Sequence, residues 1–134
     1  MLRGSCLCSK IHYEIDGPVG EMTHCHCGMC RKAHGAAFAT FLTPGPGGFR
    51  WTRGEELVER YASSEQLERL FCRICGSSLA VTEPATGGVY VAAGTLDGDP
   101  GVRAGSHIFV GSKAPWHEIL DALPRFEEYP AEEG

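Results

Sequence analysis

The chain has 134 residues, of which 43% are hydrophobic and 22% charged, with a formal net charge of −5. This composition excludes wholesale disorder, and the length suits a core that folds without disulfides. The basic residues are scattered, which argues against nucleic-acid binding, and no apolar stretch reaches the roughly 18 residues that a membrane helix needs.

The N-terminal residues Met1–Cys6 contain no apolar segment of the kind found in secretory signals. We therefore expect a cytoplasmic protein, whose cysteines stay reduced. The seven cysteines also leave any complete set of disulfides one partner short. Their spacing has to be explained by metal binding or by redox chemistry.

Short strands separated by turns are predicted for most of the chain, because 18 glycines and eight prolines favour turns over long helices. Ile11, Tyr13 and Ile15 alternate with polar residues, which is typical of a half-buried strand. Further strands are predicted over residues 36–42, 57–62, 67–71, 78–82, 89–93 and 106–110. Helix is predicted only for a turn or two after Cys30 and near residues 116–123.

These elements predict one mostly β domain over residues 1–134. No internal repeat of fixed period and no long linker divides the sequence. The acidic segment over residues 126–134 is expected to be a solvated C-terminal tail.

Two close pairs of cysteines predict a closed metal site. Cys72-Arg-Ile-Cys75-Gly has the spacing of a zinc knuckle, in which two thiolates curl around one ion and the glycine permits a tight turn. Cys6 and Cys8 offer a second pair, because residues two apart in a strand point to the same face. Four thiolates saturate zinc, so this site would stabilise the fold and leave no position for substrate. Ordinary buried thiols are the alternative.

Cys25, Cys27 and Cys30 remain, and three protein ligands are typical of an open zinc site. A thiol bound at the open position would be deprotonated at neutral pH. Two other interpretations stay open, a redox Cys-x-x-Cys pair and a second structural zinc. The fourth ligand of such a structural zinc would be one of three nearby histidines, His24, His26 or His34.

Longer motifs surround the cysteines and extend from Gly4 to about Pro124. In chain order they are Gly4-Ser-Cys-Leu-Cys8, Ile11-His-Tyr-Glu14, His24-Cys-His-Cys-Gly-Met-Cys-Arg-Lys32, Phe71-Cys-Arg-Ile-Cys-Gly-Ser77, Ala93-Gly-Thr-Leu-Asp97, His107-Ile-Phe-Val110 and Ser112-Lys-Ala-Pro-Trp116. With these motifs in this order, the chain resembles the glutathione-dependent formaldehyde-activating enzyme family.

The resemblance implies a β-tent fold, built of small antiparallel sheets with short helical segments and stapled by zinc. It also implies two Zn²⁺ ions per chain. The structural ion would be held by Cys6, Cys8, Cys72 and Cys75, and the catalytic ion by Cys25, Cys27 and Cys30. The implied reaction joins glutathione to formaldehyde to give S-hydroxymethylglutathione, and it is classed with the carbon–sulfur lyases.

One position departs from the pattern of the family. Glycine usually follows the Cys-x-Cys pair, whereas this chain has Ser9. Serine avoids a positive φ, so we expect the local turn to differ while the ligands stay in place.

The chemistry expected at the open site is the addition of a thiolate to an aldehyde. The metal would hold a small thiol as its thiolate, which would attack the carbonyl and form a hemithioacetal. Arg31, His107 and Lys113 are candidates for binding substrate carboxylates or the developing oxyanion.

Non-catalytic interpretations stay open at this stage. The β-tent fold is shared with a Rab-binding zinc chaperone, so the chain could be a partner-binding protein with two structural zinc ions. It could also sense zinc or thiols, if the cysteines of the open site exchange metal with cellular thiols. A pure binding module has no need of an incompletely ligated zinc, so the open site separates the alternatives.

Overall fold

A computed structural model describes residues 1–130, which form ten strands and one α-helix. The strands are β1 (Leu2–Ser5), β2 (His12–Ile15), β3 (Val19–Cys25), β4 (Ala39–Pro44), β5 (Phe49–Arg53), β6 (Val58–Ala62), β7 (Glu68–Cys72), β8 (Ser78–Glu83), β9 (Gly88–Ala92) and β10 (Ser106–Ile108). The helix α1 covers Gly28–His34, and 3₁₀ turns cover Glu55–Leu57, Ala93–Thr95 and Val110–Ser112. The prediction of a mostly β fold is confirmed.

The strands form two sheets. The smaller sheet has the order β1-β2-β5, and the larger has the order β10-β3-β4-β9-β8-β7-β6. The neighbouring strands are antiparallel, as the resemblance implies, except that β10 runs parallel to β3. In this parallel pair His107 lies beside His24 and Ile108 beside Cys25. The last strand therefore lies directly alongside the cysteine-rich end of β3.

The core consists of three buried clusters of side chains. Tyr13 and Ile15 of β2 pack against Leu42 of β4 and Val91 of β9, which joins the smaller sheet to the larger one. Burial of each such side chain stabilises the fold by about 1.5–3 kcal/mol. Each of the other two clusters contains cysteines, Cys6 and Cys72 in one and Cys25 and Cys30 in the other. The proposed metal ligands are thus part of the core.

Several sequence predictions differ from the structure at particular segments. Strands β1, β3 and β5 were not predicted, and Cys6 and Cys8 lie on a turn after β1 rather than on a strand. The helix predicted near residues 116–123 is wrong. Its backbone carbonyls are bound by side chains instead, because Lys113 donates to the carbonyl of His117 and Arg125 donates to that of Asp121.

The chain after β10 returns along the same strand. The amide of Phe126 donates to the carbonyl of His107 at 2.9 Å, and the amide of Phe109 donates to that of Glu128 at 3.1 Å. Residues 126–128 of the predicted acidic tail, residues 126–134, take part in this pairing, and the last four residues of the tail lie outside the described residues. None of the helices formed by residues 1–130 is long and apolar enough to cross a bilayer.

Candidate metal centres and the adjoining cavity

The first candidate centre brings together Cys6, Cys8, Cys72 and Cys75. Their Sγ atoms all lie within 4.8 Å of one another, with Cys6 and Cys8 at 3.5 Å and Cys8 and Cys72 at 3.8 Å. Four sulfurs around a zinc ion, at Zn–S distances of about 2.3 Å, would be about 3.8 Å apart. The donor set and its spacing therefore fit a tetrahedral metal ion.

Two turns shape this centre, and each ends at the residue after the second cysteine of its pair. The amide of Ser9 donates to the carbonyl of Cys6 at 3.0 Å, and the amide of Gly76 donates to the carbonyl of Cys72 at 2.9 Å. Both residues have a left-handed backbone, with φ 63° at Ser9 and 79° at Gly76. The expectation that serine would change the turn is wrong, because Ser9 adopts the positive φ that glycine takes at ease.

Backbone amides point at the sulfurs of this centre. The amide of Ile11 lies 3.4 Å from Cys6 Sγ. In the knuckle, the amides of Ile74 and Cys75 both lie 3.4 Å from Cys72 Sγ. Such donors favour the thiolate, which is the form of cysteine that binds metal.

The second candidate centre is the triad of Cys25, Cys27 and Cys30, whose Sγ atoms lie within 4.8 Å of one another. Cys25 ends β3, and Cys30 lies in the first turn of α1. Cys27 caps the helix, since its Sγ accepts a hydrogen bond from the amide of Cys30 at 3.3 Å. The junction of a strand with a short helix thus places three thiols around one point.

The three thiols of the triad perturb one another. Hydrogen bonds from the Cys25 and Cys30 thiols hold the pKa of Cys27 far below its usual range. The contact with Cys27 is also the main reason why the pKa of Cys25 is raised above its usual value. Three adjacent thiolates repel one another, so the triad can hold all three in the ionised form only around a cation. The triad fits a metal ion on this ground.

The histidines near the triad have other partners. His24 Nδ1 lies 2.7 Å from a threonine hydroxyl of β4, and His26 Nε2 lies 2.8 Å from His107 Nδ1. The ring of His34 packs edge-on against a phenylalanine of β4. Within residues 1–130, the ligand atoms grouped at the triad come from cysteines alone. The geometry gives no support to a fourth ligand from His24, His26 or His34.

A cavity of about 320 Å³ opens beside the triad. Its floor is one face of the larger sheet, where Arg69, Val81 and Tyr90 line the cavity side by side. In the strand register Arg69 of β7 pairs with Val81 of β8, and Val81 pairs with Tyr90 of β9. Phe41 and Thr23 extend the floor across β4 and β3. A pocket of this size can bring a small molecule next to the sulfurs.

The sequence from residue 1 to 112 matches the family model described as glutathione-dependent formaldehyde-activating enzyme. The chain belongs to this family. The matched region contains all seven cysteines, and so it includes both candidate centres of this family member.

One curated protein is similar to this chain in sequence, and one solved structure is similar to it in fold. An uncharacterized lyase from Schizosaccharomyces pombe is 36% identical over 77 residues, a match that covers 57% of this chain and 53% of the relative's length. The chain thus spans about half the length of this curated relative. The crystal structure of a Rhodobacter sphaeroides protein matches with a TM-score of 0.62 and 24% identity, over 73% of this chain and 91% of that one. This second likeness shows a shared fold.

The three residues predicted to bind substrate do not line the cavity beside the triad. His107 is buried between His26 and Asp121, and it hydrogen bonds to both. Lys113 donates to two backbone carbonyls of the loop that follows it. Arg31 lies on α1, where its Nε is buried. Their role in substrate binding stays a prediction.

Three charged residues line the cavity and were not among the sequence candidates, namely Glu21, Arg69 and Glu83. Arg69 is a basic residue in the strand that leads to the knuckle, and this position close to the cysteines is a usable signal. Glu21 lies four residues before Cys25 on β3 and lines the same cavity. Sequence reasoning could have identified Glu21 as a cavity residue only by predicting β3. The sequence of that strand shows no clear alternation of apolar and polar residues.

Proposed function

We propose that this chain is a cytoplasmic, zinc-dependent enzyme of the carbon–sulfur lyase type, which joins a small thiol such as glutathione to formaldehyde or a related aldehyde. Family membership supports a glutathione-related reaction, and the Schizosaccharomyces pombe relative is itself named a lyase. The observation that carries the proposal is the triad, which offers three thiols beside a cavity and no further ligand among residues 1–130. A purely structural zinc would have a closed set of four.

We infer that Zn²⁺ is the metal at both centres, because clustered thiolates are the donors that zinc prefers. At the first centre four thiolates would complete the coordination, so the ion there would be structural. At the triad Cys25, Cys27 and Cys30 would leave one position free. A zinc ion held there would lower the pKa of an incoming thiol and so supply a thiolate at neutral pH.

Arg69 is the residue best placed to assist the reaction. Its Nη2 and Nη1 atoms lie 3.7 and 3.8 Å from Cys30 Sγ, and its Nε is buried without a hydrogen-bond partner in the described part of the chain. When the substrate sulfur bonds to the aldehyde carbon, the electrons of the carbonyl π bond move to oxygen. The guanidinium would stabilise this oxyanion until it takes up the proton that the thiol released.

The proposed activity is tested with zinc-loaded protein, glutathione and ¹³C-labelled formaldehyde. NMR exchange spectroscopy measures the rate of hemithioacetal formation against the spontaneous rate. We expect acceleration by the protein, loss of the acceleration in Cys27→Ser, and an unchanged circular dichroism spectrum for that variant. A zinc-loaded protein that leaves the spontaneous rate unchanged would refute the assignment to glutathione and formaldehyde.

A further inference from the structure

A tyrosine near the end of the described chain lines the cavity beside the triad. The side chain of Tyr129 borders this cavity together with the three cysteines. It is also exposed, so it lies where the cavity meets solvent. Tyr129 comes well after residue 112, where the family match ends. The C-terminal segment therefore contributes to the candidate site a hydroxyl group that the family match does not include.

Backbone hydrogen bonds hold Tyr129 close to the triad. The amide of His26, which lies between two cysteines of the triad, donates to the carbonyl of Ile108 at 2.9 Å. The amide of the next residue, Phe109, donates to the carbonyl of Glu128 at 3.1 Å. Tyr129 follows Glu128 directly. Two hydrogen bonds and one peptide unit thus connect the loop that carries the triad to the residue before Tyr129.

Phe109 has an unusual backbone and packs against the ring of Tyr129. Its φ of 57° is left-handed, a conformation that costs a residue of this kind about 1–2 kcal/mol. The ring of Phe109 packs against the buried cluster that contains Cys25 and Cys30. The ring of Tyr129 lies edge-on to it, with the two centroids 4.8 Å apart. Strained residues concentrate at functional sites, which supports a function for this pair of rings.

The proposed reaction still lacks a proton donor. When a thiolate adds to an aldehyde, the carbonyl oxygen becomes an alkoxide and has to take up a proton. Arg69 can stabilise this charge, but a guanidinium keeps its protons in proteins. A carboxyl group is normally ionised near pH 7 and has no proton to give. Among the described residues that line the cavity, the phenols of Tyr90 and Tyr129 are more acidic than the threonine hydroxyls.

Of these two phenols, that of Tyr129 is the better placed. The hydroxyl of Tyr90 lies against Gly88, 3.3 Å from the position that a Cβ atom on this glycine would occupy. Gly88 is not among the described residues that line the cavity. Partial burial raises the pKa of Tyr129, and the nearby cysteines of the triad raise it further. Tyr129 thus keeps its proton near pH 7 and is close enough to the triad to be affected by its charge.

We propose that Tyr129 is a catalytic residue whose hydroxyl gives its proton to the alkoxide formed from the aldehyde. The proposal rests on the proposed function, because this alkoxide forms only if a thiolate adds to the carbonyl. As the sulfur–carbon bond forms, the electrons of the carbonyl π bond move to oxygen. The O–H bond of Tyr129 then breaks, its electrons stay on the phenolate, and the proton completes the hemithioacetal. The phenolate meets solvent, from which it takes up the proton that the thiol released.

The variant Tyr129→Phe tests the proposal, because it removes the hydroxyl and keeps the ring that packs on Phe109. NMR exchange spectroscopy on the zinc-loaded protein measures the formation and breakdown of the hemithioacetal of glutathione and formaldehyde, after subtraction of the spontaneous rates. We expect kcat to fall about 100-fold, the lower end of what a general acid contributes. Both directions should slow by the same factor, because a catalyst does not change the equilibrium. Zinc content and the KM for glutathione should stay unchanged.

A binding measurement tests the position of the hydroxyl without turnover. Thioglycolate has an anionic oxygen close to its sulfur, whereas ethanethiol has none. Titration calorimetry of the zinc-loaded protein measures the affinity for each thiol. In Tyr129→Phe we expect thioglycolate to bind about tenfold more weakly, the effect of losing one hydrogen bond to a charged group. The affinity for ethanethiol should not change.

Two further tyrosine variants serve as matched controls. Tyr61 is exposed and does not line this cavity, so Tyr61→Phe should keep the rates and affinities of the unmodified protein. Tyr90→Phe should keep them as well, although Tyr90 lines the cavity. A loss of rate in Tyr90→Phe rather than in Tyr129→Phe would overturn the assignment to Tyr129.

The outcomes separate this proposal from the proposed function. A Tyr129→Phe variant with the full rate and the full affinity for thioglycolate would overturn the proposal and leave the proposed function standing. If the unmodified protein does not accelerate the reaction, the assignment to glutathione and formaldehyde is refuted. A thioglycolate affinity that still depends on Tyr129 would then support this residue as the donor to an oxyanion beside the bound thiol, and one that does not would overturn both proposals.

Discussion

His26 Nε2 lies 2.8 Å from His107 Nδ1, and on the other side of the ring His107 Nε2 lies 2.9 Å from Asp121 Oδ2. An ionised carboxylate can only accept, so His107 donates from Nε2, and its neutral ring then accepts at Nδ1. His26 must then donate from Nε2. Burial lowers the pKa of His26 to about 4, which keeps this ring neutral near pH 7. The resulting chain of hydrogen bonds fixes the backbone between Cys25 and Cys27.

Replacing His107 with leucine should destabilise the protein. The buried donor of His26 loses its acceptor, which costs about 1–3 kcal/mol of unfolding free energy. Urea denaturation of the zinc-loaded protein measures the change. His12→Leu is the control, because His12 makes its hydrogen bond near the surface and a surface substitution usually changes stability by only about 0.5 kcal/mol. Equal stability of the two variants would show that the buried contact contributes nothing.

Loss of one ligand should affect the two metal centres differently. In Cys27→Ser, we expect the zinc content to fall from about two equivalents to about one while the circular dichroism spectrum is preserved. In Cys72→Ser, we expect loss of the folded spectrum, because Cys72 ties the end of β7 to the turn after β1 and so joins the two sheets. Unfolding of Cys27→Ser would show that the triad is structural as well.

Substitution of Ser9 by glycine should stabilise the protein. Because glycine adopts a left-handed backbone without strain, the substitution should raise the free energy of unfolding by about 1–2 kcal/mol. The greater entropy of glycine in the unfolded chain lowers it again by about 0.4–1 kcal/mol. These two ranges leave a net gain of about 0–1.6 kcal/mol, about 0.8 kcal/mol at their midpoints, which urea denaturation measures. Ser5→Gly is the control, since Ser5 lies in β1 and has no positive φ. That variant should be less stable, and a less stable Ser9→Gly would contradict the argument.

Alkaline pH should destabilise the protein, because the buried Tyr13 side chain resists losing its proton in the folded state. Burial raises the pKa of this fully buried side chain to about 12, from 10 in a model peptide. Between pH 10 and 12 the unfolded chain releases the Tyr13 proton and the folded chain retains it, so stability falls as pH rises. A two-unit shift corresponds to about 2–3 kcal/mol. Urea midpoints across this range measure the effect. This loss of stability between pH 10 and 12 should disappear in Tyr13→Phe. It should persist in the control Tyr61→Phe, because the Tyr61 side chain is exposed.

The sequence predicted those strands whose hydrophobic pattern is set by burial on one face. Ile11, Tyr13 and Ile15 alternate cleanly because one face of β2 lies on the core. Strand β3 was not predicted because Glu21 and Thr23 face a cavity rather than a packed core, so polar residues occur where apolar ones would be expected. The predicted helix near residues 116–123 failed because side chains bind the carbonyls that a helix would use.

The two cysteine clusters could be predicted from the sequence because metal coordination imposes short, fixed spacings. Cys72 and Cys75 belong to one turn, and Cys6 and Cys8 belong to another. Each short spacing indicates a metal site even when the fold is unknown. Cavity residues obey no such local rule. Arg69 lies beside Cys30, 39 positions earlier in the chain, only because β7 and α1 meet in space.

The first centre also imposes an order on biosynthesis. Cys72 follows Cys8 by 64 positions, which a ribosome adds in about 3–13 s at about 5–20 residues per second. During this interval Cys6, Cys8 and the triad have all been made, and these five thiols include enough donors to bind a metal ion with the wrong partners. If these cysteines hold metal as proposed, correct assembly would require early metal binding to remain reversible until the knuckle has been synthesised.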